Sequence, residues 1–360
     1  MAQDYQFLDI AARGPGIVTA AFDNQVVYCT ASGATVTARI VAALRDLLER
    51  GEPGALLDRI RNWPGAPLAD ALPLRIAGGI HALRLKGAQP QLESIYTDQH
   101  GIDDAAIVAA AIRQHEAELL PWLDGPPQTN EAGRSANFIA AMLWLAEQGL
   151  PARFECLEIG SSAGINLMLG RYHYDLAGVQ VGPEPGAILF KPDWNGNPPP
   201  DRKIEIASTR GCDVDPVDLT DPTKALRLKA YIWPEHSVRF ERMAAAVEEA
   251  GKSPPDLVQM NAAEFAEAEL AKPQSAGTTR VLMHSIVWQY VPEDQQRRVS
   301  AAMEAAGARA TAERPLAWIS LEANRVLHLH ELVVRHWPGS GEPALLARAH
   351  PHGAKIDWLV

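Results

Sequence analysis

The spacing of apolar positions changes character about 150 residues into the chain. Before that point apolar side chains recur at helical intervals. Val36, Ile40, Val41, Leu44, Leu47 and Leu48 share one face of a segment from Thr35 to Arg50, which Gly51 ends. Leu56 to Trp63 and Leu68 to Leu85 predict further helices, separated by Pro64-Gly65-Ala66-Pro67. Ile107, Ala111, His115 and Leu119 mark another within Asp103 to Leu123. Gly125-Pro126-Pro127 is the first strong break. Asn130 then stands where it caps a predicted helix running to Gln148, with Phe138, Met142 and Leu145 on one face.

After Gly149, short β-type runs alternate with helices. Strands are predicted at Phe154 to Ile159, Ile204 to Ser208, Asp256 to Met260, Arg280 to Ser285 and Leu316 to Leu321. Helices are predicted at Lys224 to Ala250, Ala262 to Ala271 and Glu293 to Ala306. Val179 to Gly182 and Ala187 to Lys191 predict a hairpin. Glu331 to Trp337, Ala344 to Ala349 and Lys355 to Leu359 predict antiparallel strands at the end. Strand-helix alternation implies an open, mainly parallel α/β sheet. Ligands of such sheets bind beyond the carboxyl ends of the strands, the edge shared by the loops after Ile159, Ser208, Met260 and Ser285. The expected organisation is a helical N-terminal domain over residues 1–128, in a lid or substrate-binding role, and an α/β domain over 129–360.

Composition narrows the partners. Of the 360 residues, 47% are hydrophobic and 21% charged, as in a globular protein with a large core. A net charge of -11 argues against nucleic acid and points to a small molecule or a protein as substrate. No apolar run approaches the ~20 residues that span a bilayer, so no membrane role is expected. Cys29, Cys156 and Cys212 are far apart and form no C-x-x-C pair, which suits a reducing compartment. Asp4 and Asp9 precede any apolar run, so no secretory signal is expected, and the cytoplasm is the expected location. Oligomeric state is not legible.

The densest chemistry lies at Glu158-Ile159-Gly160-Ser161-Ser162-Ala163-Gly164, where a strand enters a glycine-bracketed turn followed by helix-like Ile165 to Leu169. Glycines let backbone approach a ligand, a helix N-terminus attracts anions, and Glu158 offers a carboxylate to an amine or hydroxyl. The same letters spell G-x-S-x-G, with Ser162 as a candidate nucleophile of a serine hydrolase. Against that stand the helical first 150 residues and the lack of an oxyanion-type loop upstream.

Other candidates lie on the same predicted edge. Asp213 is placed to hold paired hydroxyls, or to start a turn with Asp215-Pro216. Asn261 either contacts a ligand with its neighbour Ala262 or caps the following helix. His284 is suited to accept a proton near neutral pH, Tyr290 to donate a hydrogen bond, and Trp288 to pack on a flat or cationic group. Arg134, beside Asn130 and Glu131, offers a fork to a carboxylate. His328 with His330 and His350 with His352 lack a third ligand, so no metal site is expected.

The order of elements resembles the class I S-adenosylmethionine-dependent methyltransferases over residues 150–360. The resemblance implies a Rossmann-like sheet, mostly parallel with an antiparallel C-terminal pair. It implies S-adenosylmethionine as cofactor, held by Glu158, Gly160, Ser161, Ser162 and Gly164, by Asp213 on the ribose and by Asn261 and Ala262 near the adenine, with Asn130 and Arg134 beside them. The segment His284 to Tyr290 would face the methyl acceptor. The chain departs from the family's pattern where Ser162 replaces a middle glycine, where Asn261 replaces an acid, and in the long insertion between its first two strands.

The whole chain is also similar to a bacterial family known as a domain of unknown function. The shared segments are Gln128 to Arg134, Gly211-Cys212-Asp213, His284 to Tyr290 and His350-Pro351-His352-Gly353. The expected function is methyl transfer to a small-molecule or protein nucleophile. The alternatives are a methyltransferase-fold protein that binds or scaffolds without catalysis, and a serine hydrolase using Ser162.

Overall fold

Helical spacing in the N-terminal third and β-spacing after it produce two different kinds of packing. The computed structural model describes residues 9–14, 16–128, 130–327 and 329–360. Asp4, Thr129 and His328 lie outside them. The chain divides into two units, one of residues 1–129 with Asp221–Glu241, the other Asn130–Thr220 with Arg242–Val360. Among the described residues no helix is long and apolar enough to cross a membrane.

The first unit is helical. Its longer helices are Ile17–Ala31, Thr35–Glu49, Leu72–Leu85 and Asp104–Leu119. Ile40, Leu44 and Leu47 meet Leu56, Ile60, Ile76 and Ile80 in one apolar cluster, each at most 1% exposed. Fully burying such a side chain is worth roughly 1.5–3 kcal/mol. Asp221–Glu241 belongs here rather than with the sheet. The predicted helix from Lys224 to Ala250 is two, Pro222–Ala230 and Ser237–Lys252. Pro234 lies between them and supplies no N–H to continue the first. Gly78 packs on Tyr231, where an added Cβ would come within 2.6 Å of the ring, and Trp122 meets the same ring edge-on. His81 Nδ1 lies 3.0 Å from the carbonyl of Ala230, and its ring stacks on Tyr96.

The second unit is a mixed α/β structure. Its strands in chain order are β1 (Arg153–Ile159), β2 (His173–Leu176), β3 (Val179–Val181), β4 (Leu189–Phe190), β5 (Asp193–Asn195), β6 (Glu205–Asp213), β7 (Leu257–Gln259), β8 (Thr279–Ser285), β9 (Leu316–Asn324), β10 (Leu329–Trp337), β11 (Ala344–Ala349) and β12 (Lys355–Trp358). Nine form one sheet in the order β5-β12-β11-β10-β9-β8-β1-β6-β7. β7, β6, β1, β8 and β9 pair in parallel. Every residue of β8 is buried, as expected of a strand covered on both faces. On one face Leu157, Ile159 and Leu282 meet Phe265 and Ala266 of helix Ala262–Leu270 and Val299 and Met303 of helix Glu293–Gly307.

β1 lies between β6 and β8. The chain leaves β1 to one side and later returns to the other, so the parallel strand order reverses at β1.

Three expectations change. The antiparallel C-terminal pair that the resemblance implies is three strands, β10, β11 and β12, as their spacing predicts, with β5 added in parallel at the edge. The predicted hairpin does not form. β3 pairs with β2, and β4 joins the other side of β2 in parallel. This pairing brings the rings of Tyr172, Tyr174 and Phe190 together, and all three are buried. Finally, the predicted helix from Asn130 begins only at Ser135, after a 3-10 turn at Ala132–Arg134.

His81 supplies a test of the helical unit. Burial pushes its imidazole down to about 4. A base lowered on folding contributes stability that is complete above its unfolded value near 6.5 and is lost as pH falls toward 4. Urea denaturation should therefore show about 2 kcal/mol less stability at pH 5 than at pH 7 from this group. His81→Leu should flatten that part of the profile.

Candidate functional site

The turn after β1 is built by the end of β6. Gly160, Ser162 and Gly164 take positive φ values of 67°, 53° and 71°. Serine tolerates that region at a cost of roughly 1–2 kcal/mol, so something must hold it there. The holder is Asp213, whose Oδ2 accepts the Ser162 amide at 2.8 Å while Oδ1 accepts that of Asp215 at 2.9 Å. The Ser161 amide donates to the Cys212 carbonyl at 2.9 Å, and its hydroxyl donates to the Glu158 carbonyl at 3.0 Å. Gly211 is required beside it, since an added Cβ would lie 2.2 Å from the Ser161 hydroxyl.

The turn does not open into an α-helix. Ile165–Arg171 is a 3-10 helix of seven residues. It is too short to sum peptide dipoles as the expected α-helix would. Asn130, expected to cap its own helix, instead accepts the Ile165 amide at 3.1 Å.

Glu158 is the chemically distinctive group. It is 1% exposed, and Asn166 donates to its Oε1 at 3.1 Å. Its Oε2 has no hydrogen-bond partner among the described residues. Burial pushes the carboxyl up to about 7, against the opposing pull of the Asn166 hydrogen bond and the positive Arg134. The Ser162 hydroxyl and the Asn166 carbonyl oxygen are likewise buried without partners. Three unpartnered polar atoms thus gather in the turn after one strand.

The glycines serve packing. An added Cβ at Gly160 would lie 2.2 Å from the Val287 side chain, and one at Gly164 would lie 2.8 Å from Pro255. Asn261 caps the helix after β7, its Oδ1 accepting the Glu264 amide at 2.9 Å, with Ala262 buried as the first helical residue. Arg134 donates to the carbonyls of Pro351 at 2.9 Å and Ser285 at 3.4 Å.

Those bonds draw distant segments together. Gly133 and Gly353 touch backbone to backbone, with an added Cβ at Gly353 falling 2.0 Å from the Gly133 carbonyl oxygen. Arg134 ties the same turn to the end of β8. Val287, just beyond β8, closes on Gly160.

The loop after β8 carries the second constellation. His284 is 2% exposed, with Nδ1 2.7 Å from Glu322 Oε1. Trp288 stacks on the imidazole at 5.0 Å between centroids and 21° between planes. Ile286 takes φ 52°, rare for a β-branched residue, and the amides of Val287 and Trp288 donate to Glu322 Oε1 at 3.2 and 3.3 Å. Tyr290 is 75% exposed and stands outside this buried group. A cavity of about 280 Å³ is lined by Trp288, Gln289, Glu322, Ala323 and Arg325.

Glu322 and Asn166 were not legible as site residues. Glu322 sits late in β9, where an acid in a half-buried strand is the one available signal. Asn166 sits among apolar neighbours in a turn that reads as helix. Among the described residues no group of three or more His, Cys, Asp or Glu side chains could hold a metal.

Two variants test this arrangement by equilibrium denaturation. Gly353→Ala combines a positive φ with a backbone clash, so it should cost roughly 2–4 kcal/mol, whereas Gly149→Ala, with φ 88° and open space, should cost only about 1–2. Glu158 has the opposite pH signature to a paired acid. Between its unfolded value near 4.5 and its folded value of about 7 the folded state keeps a proton that the unfolded chain has released. Stability therefore falls as pH rises across that window, by on the order of 3 kcal/mol. Glu158→Gln should remove this slope and be the more stable protein at pH 8.

No curated protein and no solved structure matches the chain. A family of bacterial proteins matches residues 19–358, which takes in most of both units. The protein belongs to that family, described as an uncharacterized protein conserved in bacteria (DUF2332).

Proposed function

We propose that the sheet-bearing unit binds S-adenosylmethionine at the carboxyl end of β1 and transfers its methyl group to a small-molecule or protein nucleophile. One observation carries this reading. A buried carboxyl oxygen, Glu158 Oε2, stands unpartnered at the end of the central strand, beside a turn of positive-φ residues. An unsatisfied buried acceptor costs on the order of 1–3 kcal/mol, and an ammonium group removes that cost. The parallel order β7-β6-β1-β8-β9 supports it as well, since β1 then occupies the switch point of a doubly wound, Rossmann-like sheet.

The residues fit such a ligand in part. Glu158 would take its ammonium group. Asp213 is half-buried, and each of its oxygens accepts one backbone amide, which leaves lone pairs for hydroxyls. Asn261 and Ala262 would lie toward the adenine. When bound, the cofactor supplies a methyl group on a sulfonium that is already a good leaving group. The chain's own task is then to orient the acceptor and exclude water.

A second reading has its own support. Val287 fills the space that Gly160 leaves open, and the Asp213 carboxylate is engaged by the turn itself. Both favour a protein of this fold that binds or scaffolds without catalysis. The hydrolase reading gains a positive φ at Ser162 but no base, since nothing is hydrogen-bonded to its hydroxyl among the described residues.

Thermal shift and calorimetry separate the first two. S-adenosylmethionine or S-adenosylhomocysteine at about 100 times its dissociation constant should stabilise the fold by roughly 2.7 kcal/mol. Glu158→Gln, which keeps the shape but not the charge, should weaken binding at least tenfold. Neither shift nor heat at millimolar ligand would leave the scaffold reading.

A further inference from the structure

The 2.7 Å contact gives the His284–Glu322 pair a direction. A carboxylate can only accept a hydrogen bond, so the imidazole faces it with an Nδ1 hydrogen. Nε2 is buried with no partner among the described residues, and in the Nδ1–H tautomer it carries the lone pair of the ring. The ring cannot turn over to satisfy it. Doing so would break the 2.7 Å contact, and Trp288 and Trp318 pack against the imidazole with centroids 5.0 and 6.0 Å away. The oxygen that holds Nδ1 also holds the amides of Val287 and Trp288, so one atom fixes both the imidazole and the strained loop over it.

We propose that His284 is the proton acceptor for the methyl-accepting substrate and that Glu322 is its positioning residue. The acceptor's O–H or N–H bond breaks, a hydrogen–Nε2 bond forms, and the electron pair stays on the acceptor oxygen or nitrogen. The imidazolium that results is stabilised by the Glu322 carboxylate. The substrate class is a hydroxyl or amine compound, or side chain, that can donate a hydrogen to Nε2. The reaction named here rests on the methyl-transfer reading, whereas the pair itself does not.

Nitrogen-15 NMR of the imidazole tests the pair without the cofactor, the His284 signals being assigned by their loss in His284→Gln. The wild-type ring should show the Nδ1–H tautomer alone. Glu322→Ala should release it to a mixture, and Glu322→Gln, whose amide oxygen still accepts, should restore it. Phenol should shift the Nε2 resonance as it donates its hydrogen bond, and toluene at the same concentration should not. An Nε2–H tautomer in the wild type, an unchanged tautomer in Glu322→Ala, or equal responses to phenol and toluene would overturn the proposal. Loss of S-adenosylmethionine binding would leave all of these signals in place and would count only against the cofactor.

Discussion

Exclusion of water from the central strand governs the rest of this structure. β1 has parallel neighbours on both edges and an apolar layer over it, so the backbone must be satisfied by its ladders and any polar side chain entering it must find a partner. Glu158 enters it and finds one partner for two oxygens. Desolvation then does what solvent would prevent, raising the carboxyl to about 7 and holding it near the boundary between acid and base at neutral pH. The same exclusion leaves unpartnered polar atoms near the strand ends, where β1 and β8 carry Glu158 and His284.

Carboxylates in this unit act first as clamps on loops. Asp213 holds the amides of Ser162 and Asp215, Glu322 those of Val287 and Trp288, and Glu131 that of Gly133. Each fixes a turn that contains a strained or closely packed residue, Ser162, Ile286 and Gly133 respectively. A charge-assisted bond to an amide is worth more than a neutral one, which is how the backbone is kept where it would not otherwise stay. A clamped turn is also a rigid one. Positioning a ligand against such turns costs little further ordering, so structural and ligand-binding duties are compatible in the same acid.

The helical unit solves a simpler problem. Its apolar faces bury one another, and the segment Asp221–Glu241 joins it by packing Tyr231 on the small surface of Gly78 and by the bond from His81 to Ala230. That segment departs from and returns to the sheet's chain, so the division of the protein into units does not follow a single cut in sequence.

Periodicity alone determined most of the elements. The apolar spacing placed the helix at Thr35–Glu49, the strands β1, β7, β8 and β9 and the helices at Ala262–Leu270 and Glu293–Gly307 to within a few residues, because each buries one face or lies in a sheet interior. The acid-and-glycine turn and the His284 loop were also legible as places of unusual chemistry. Only the tertiary structure decided what those residues touch. Asp213 faces an amide 51 positions away, Arg134 a carbonyl 217 away, and His284 an acid 38 away. Gly160 and Gly164 admit neighbouring side chains rather than open space. The physical reason is that local spacing records which face of an element is buried, whereas hydrogen-bond partners depend on which strands end side by side. That is set by the sheet order, and no window of sequence contains it.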